Sequence, residues 1–220
     1  MHFEILVEDV SGKEMLNLLL PKILPEDRGD TFKVISYKGI GSIPKGLKTS
    51  QNASKRALLN QLPRLLQGYG KTFKSNRSQF VVIVVCDLDN KDFRSFLNEL
   101  NAVVDCCTEA PQVSFCLAIE EGEAWLLGDI PAIISAYPNA KKSVLNSYVN
   151  DSICGTWEKL ADAVYKGGAN KLNKLGRQEI GIQKSIWALS ITPHMDVSKN
   201  KSPSFNHFLT TLSDYLKRSM

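Results

Sequence analysis

The chain has 220 residues, of which 43% are hydrophobic and 23% charged, with a net charge of +4 and five cysteines. A chain this long buries a core without staples, and its ordinary composition excludes a disordered, collagen-like or disulfide-framed protein. No apolar run approaches the ~20 residues of a membrane span, the first residues lack a signal peptide's basic start, and no Cys-x-x-Cys pair occurs, so a reduced, cytoplasmic protein is expected.

The first element is a strand over Phe3 to Glu8, where Ile5, Leu6 and Val7 run together as in a strand buried on both faces. Glu14 to Leu24 has the apolar spacing of a helix and closes before Pro25. Thr31 to Tyr37 alternates as a second strand, a glycine-rich connector follows over Lys38 to Gly46, and Ala53 to Gln67 returns to helical spacing. Gln79 to Cys86 is the clearest strand, Lys91 to Val104 a helix, Val113 to Ile119 a fourth strand, and Glu121 to Leu127 opens another helix. Strands alternating with helices predict an α/β fold with a mainly parallel, Rossmann-like sheet flanked by helices. Beyond Asp129 the pattern is helical, in pieces divided by Pro131, Pro138, Gly155, Gly167-Gly168, Gly176 and Pro193. The expected organisation is an α/β core over residues 1–130 and a helical extension over 131–220 packed on it.

The modest net charge conceals a segregation. Residues 31–78 carry ten basic side chains and no acidic one, and residues 79–130 carry ten acidic and two basic ones. The basic block, with Lys38, Lys45, Lys48, Lys55, Arg56, Lys71, Lys74 and Arg77, suits a phosphate backbone. Arg64 belongs to the same set, and Tyr69 and Phe73 are interleaved with it. Three predicted strands end in acids: Glu8-Asp9, Asp87-Leu88-Asp89, and Glu120-Glu121-Gly122-Glu123. Carboxyl ends of parallel strands share one edge, where ligands of open α/β sheets bind. Carboxylates crowded there raise one another's pKa unless a cation intervenes, and hard oxygen donors suit Mg2+ or Mn2+. The bland alternatives are that Asp89 caps the next helix and that Glu120 to Glu123 are first-turn carboxylates favoured by a helix dipole. Ser11-Gly12-Lys13-Glu14 is no P-loop, since the upstream glycine and the final Ser/Thr are missing. His2, His194 and His207 have no metal-ligand spacing.

Glu8 after an apolar strand, with Asp87-Leu88-Asp89 after a later one, resembles the Toprim pattern of topoisomerases, primases and related nucleases. The segment Ala118-Ile119-Glu120-Glu121-Gly122-Glu123-Ala124-Trp125-Leu126-Leu127-Gly128-Asp129 is similar to that of a small Toprim-like family of unknown function. Pro193-His194-Met195-Asp196 and Asn200-Lys201-Ser202-Pro203-Ser204-Phe205 resemble the same family's C-terminal signature. The resemblance implies a Toprim-like fold and a Mg2+-dependent nuclease acting on DNA or RNA as an effector of bacterial anti-phage defence. It also implies an ABC-type ATPase as a neighbouring partner. Glu8 would be the metal-linked acid or general base. Asp87 and Asp89 would hold the metal, with Glu121 and Glu123 as further ligands, and Lys184 is the candidate cation facing the phosphate. The chain departs from the pattern at Asp9, where many Toprim proteins have glycine; an added ligand at Asp9 or a phosphate contact from Lys13 are the options this opens. Two rival readings remain: an interaction subunit, non-catalytic or toxin-like, docking on the ATPase, and another Mg2+-dependent phosphotransfer enzyme. The three tryptophans and the size of the core permit a homodimer.

Overall fold

The computed structural model describes residues 1–24, 26–44 and 57–218. Four strands, β1 (His2–Val7), β2 (Thr31–Ser36), β3 (Phe80–Asp87) and β4 (Gln112–Ala118), form one sheet in the order β2-β1-β3-β4. Every pairing is parallel, with Val7 opposite Ser36 and Val85, and Asp87 opposite Ala118. The α/β reading therefore holds: a parallel sheet, its crossover helices, and a helical second half. The strand boundaries fall within a residue or two of those predicted, because contiguous β-branched residues leave little freedom of register.

The chain steps from β1 outward to β2 and then back across β1 to β3, so the order reverses between β1 and β3. Right-handed crossovers then place the first helix on one face of the sheet and the next two on the other. On one face α1 (Val10–Ile23) packs on Phe3, Ile5 and Val7; on the other, α2 (Leu58–Thr72) and α3 (Phe93–Asp105) cover Leu6, Val82 and Val84. The second half supplies α4 (Glu123–Leu127), α5 (Ile130–Ala136), α6 (Lys142–Asn146), α7 (Thr156–Val164), α8 (Gly168–Leu175), α9 (Arg177–Ile191) and α10 (Pro203–Arg218). Their buried residues Trp125, Leu160, Leu172, Trp187, Phe205 and Phe208 join the α1-side core as one continuous cluster. The extension thus completes the cover of the face on which α1 is the only crossover helix. Gly155, Gly167 and Gly176, flagged as breaks, precede α7, α8 and α9 with positive φ.

Two helices begin well away from the expected position. Helix α1 starts at Val10 rather than Glu14, because Asp9 accepts the Gly12 N–H at 2.8 Å and caps it. Among the described residues α2 starts at Leu58 and runs on to Thr72; residues 53–56 of the predicted helix lie outside the described residues.

Among the described residues no helix is long and apolar enough to cross a membrane. The five cysteines are free thiols.

Candidate functional site

The reversal of strand order puts the ends of β1 and β3 side by side, the position at which open α/β sheets bind ligands. Glu8 follows β1 and Asp87 closes β3, and the Asp87 N–H donates to Glu8 Oε2 at 3.3 Å. Burial pushes the Glu8 carboxyl up to about 7, against the Asp87 N–H, with Asp89 and Asp9 adding repulsion and Lys184 opposing it. Burial and the neighbouring Glu8 charge push Asp87 well above the usual carboxylate range. This is the crowding anticipated for strand-end acids, now restricted to particular side chains.

Glu123 is the third acid. It sits in the first turn of α4, almost wholly buried at 3% exposure. Lys184 reaches it from the middle of α9, 3.0 Å from Glu123 Oε2 and 3.6 Å from Glu121 Oε1. At 3.0 Å the Lys184 ammonium is the charged partner of Glu123 Oε2. Burial raises the Glu123 pKa and the ammonium opposes it. Lys184 itself is held well above the ordinary lysine range, because Glu123, Asp87 and Glu121 outweigh its own burial.

Glu8, Asp87, Glu123 and Lys184, with Asp9, Met15 and Trp125, line a cavity of about 30 Å3. A water needs roughly 10–15 Å3 of such space, so the cavity takes an ion or a water or two, not a nucleotide.

The remaining predicted residues are distributed differently. Asp89 does not line this cavity. Leu88 is buried beneath it, so the chain turns at Asp89 through φ 50°, and the exposed carboxylate pairs with Lys91 at 2.9 Å. Nor does Asp89 cap α3, since Asp92 does so by accepting the Ser95 N–H. Asp89 lines an adjacent cleft of about 160 Å3 with Glu120, Glu121 and Glu158. Glu121 bridges the two clefts, with one oxygen toward Lys184 and the other accepting from Thr156 Oγ1 at 3.2 Å.

Glu120 has a role that sequence reading missed. At φ 62° it accepts the N–H groups of Cys154, Gly155 and Thr156 at 2.9–3.0 Å, so it caps α7 across a gap of 35 residues. The dipole that favours these acids is that of α7 as well as α4. Asp9 caps α1 and also receives the Ser11 hydroxyl at 2.9 Å.

The basic block divides between the two ends of the sheet. Lys38 follows β2 at the carboxyl edge. Lys71, at the end of α2, and Lys74 and Arg77, in the 3-10 segment leading into β3, lie at the amino edge instead. A strand of this length separates them from Glu8 and Asp87 by roughly 25 Å, and Lys74 pairs with Glu109 at 2.6 Å. Lys45, Lys48, Lys55 and Arg56 lie outside the described residues.

A family model matches residues 7–213, nearly the whole chain. The chain belongs to the DUF4276 family, a domain of unknown function. No curated protein and no solved structure matches it. In this DUF4276 chain the C-terminal stretch singled out from the sequence does not enter the cavity; it holds the wall. Asn200 Nδ2 donates to Trp125 O at 2.7 Å, Trp125 Nε1 donates to Ser204 Oγ at 2.9 Å, and Asp129 accepts from the Asp196 N–H at 2.8 Å. Ser202 caps α10 by accepting the Phe205 N–H. A Cβ at Gly128 would meet Asn200 Oδ1 and lie 2.9 Å from Ser202 N, so glycine there permits the close approach. The α4 segment, and with it Glu123, is therefore positioned by residues some 75 positions later in the chain. Lys22 does the same for α9, donating to the carbonyls of Thr192, Pro193 and Met195 at 2.8–3.0 Å and tying α1 to the far end of the Lys184 helix.

The residues fit a divalent cation in a particular way. The cavity offers carboxylates as its only anionic donors, three of them with raised pKa. Among the described residues no three His, Cys, Asp or Glu side chains converge closely enough to cage a metal unaided. Mg2+ is typically held by one or two carboxylates and completes its shell with waters and substrate phosphates. Glu8 and Asp87, which meet at the strand ends, would be those two carboxylates.

Proposed function

We propose that this chain is a Mg2+- or Mn2+-dependent nuclease, hydrolysing phosphodiester bonds at the carboxyl edge between β1 and β3. The observation that carries the reading is the meeting of Glu8 and Asp87 at the reversal of strand order, with raised pKa values and a buried ammonium behind them. A bound divalent cation supplies Lewis-acid polarisation of a phosphoryl oxygen and acidifies a water. Metal-free Glu8, with a pKa of about 7, would exchange its proton for the cation near neutral pH, and its carboxylate would then orient an attacking water. Asp87, backed by its own strand, orients against Glu8 and keeps the pair in register. Lys184 stands beside Glu121 and Glu123, the further ligands that the resemblance implied. Its ammonium already pairs with both, which supports a site for one metal rather than two. Its positive field also lowers the cost of a second negative charge on Glu8 and Asp87 as phosphate approaches.

Purified protein incubated with plasmid, single-stranded DNA and RNA in Mg2+ or Mn2+ tests the proposal. Cleavage that EDTA stops and that Asp87→Asn reduces by ~100-fold or more is expected. Absence of metal-dependent cleavage of all three substrates would overturn it.

A further inference from the structure

The cavity around Glu8 has room for an ion and a water and none for the body of a nucleotide, so a substrate's bulk rests beside it. The two sides of the edge differ sharply in charge. Toward β4 the adjoining cleft is lined by Asp89, Glu120, Glu121 and Glu158, which repels phosphate. Toward β2 a cleft of about 430 Å3 is lined by Val10, Ser36, Tyr37, Lys38, Arg64 and Leu65, among others, and holds two cations and no acid among its described residues. That volume lies in the ~300–1,000 Å3 range of small-ligand sites.

The cleft is built against the catalytic strand. Tyr37 N–H donates to Val7 O and Gly39 N–H to Glu8 O, each at 3.0 Å, so the β2 loop is tied to the residue that closes β1. Val10, the first residue of α1, forms a wall of the cleft two positions after Glu8 and is 54% exposed, an unusual place for an uncovered branched side chain. Arg64 comes from α2, on the opposite face of the sheet from α1, so the cleft straddles the edge. Two exposed cations above apolar surface from Val10, Tyr37 and Leu65 match a group with an anionic end and a flat, weakly polar body.

We infer that this cleft seats one nucleotide unit of the substrate strand, with its phosphate on Lys38 and Arg64 and its sugar and base against Tyr37, Val10 and Leu65. The inference rests on the nuclease reading for its place in the reaction, but binding of a lone nucleotide does not require hydrolysis. The strand then enters from the β2 side and presents its phosphodiester bond to Glu8, and the acidic cleft beyond keeps it from running the other way.

Calorimetric titration of the full chain with nucleoside monophosphates, in EDTA and low salt, tests this. Inorganic phosphate serves as the second probe. Mononucleotide binding is expected, weakened at least about tenfold by Arg64→Glu and by Lys38→Glu, since each removes a charge-assisted contact and adds repulsion. Both residues are exposed, so folding and the thermal midpoint stay at the wild-type values. Inorganic phosphate should bind at least tenfold more weakly than the mononucleotide, roughly the worth of burying the base and sugar. Wild-type protein that binds no mononucleotide, Arg64→Glu protein that binds it unchanged, or phosphate that binds as tightly overturns the inference. Asp87→Asn should leave mononucleotide binding intact while losing cleavage, whereas wild-type protein that binds mononucleotide but cleaves no strand would sink the nuclease reading and keep the cleft.

Discussion

Replacing Lys184 with methionine keeps an unbranched side chain on α9, one atom shorter, and removes its charge. In wild type the ammonium is 13% exposed and its partner Glu123 4%, so solvent screens the pair little. Removing one partner of such a pair costs ~3–5 kcal/mol, because the other charge stays buried and uncompensated. For a chain of this size each kcal/mol moves the thermal midpoint by ~2–4 °C, so a fall of at least ~6 °C is expected in EDTA above neutral pH. The sign with pH follows from Glu123. Burial raises its folded pKa above the unfolded value, and loss of the ammonium raises it further. In Lys184→Met the native state therefore holds a proton that the unfolded state has lost, and stability falls as pH rises through that window. The deficit against wild type is largest above neutral pH and shrinks toward acid, where Glu123 is protonated. The double variant Lys184→Met/Glu123→Gln should recover most of the loss at alkaline pH. Thermal melts of wild type, Lys184→Met, Glu123→Gln and the double variant across pH measure this. A deficit independent of pH, or additive effects in the double variant, would refute the assignment of Lys184 as the buried counter-charge.

Other perturbations probe the rest of the site. Freed of Lys184, Glu121 and Glu123 should take up a second ion, so the number of Mn2+ bound by Lys184→Met in calorimetry should rise by one over wild type. Glu8 has a folded pKa of about 7, so without metal its contribution makes stability fall as pH rises from the carboxylate range through neutrality, and Glu8→Gln should flatten that slope. Mg2+ competes with that proton, so its stabilising shift in the melt should grow with pH, which differential scanning with and without the ion detects. Asn200→Ala removes a buried bond to Trp125 O and should cost ~1–3 kcal/mol. It should also lower cleavage, because α4 and Glu123 lose their anchor, which paired melt and rate measurements show.

The strands were legible because runs such as Phe80 to Cys86 admit one periodicity and one partner class. The sharing of an edge by Glu8 and Asp87 followed from topology alone, since parallel strands all end on the same side. The separation of Asp89 from them did not, because it depends on Leu88 entering the core and forcing a left-handed turn. Glu120 was unreadable for a similar reason: the N–H groups it caps belong to a helix 35 residues away. The basic block misled in part, because composition records that Lys74 and Arg77 are near Lys38 in sequence and not that β3 carries them to the other end of the sheet. Lys184 could be suspected, but its partners are set by the packing of α9 on α1, which local pattern does not encode.

Anomalous diffraction at the manganese edge from crystals grown with Mn2+ tests the central claim most directly. One Mn2+ bound to Glu8 and Asp87, with Lys184 still paired to Glu123, is the predicted result. Mn2+ absent from Glu8 and Asp87, or bound only among Asp89, Glu120 and Glu158, would contradict it.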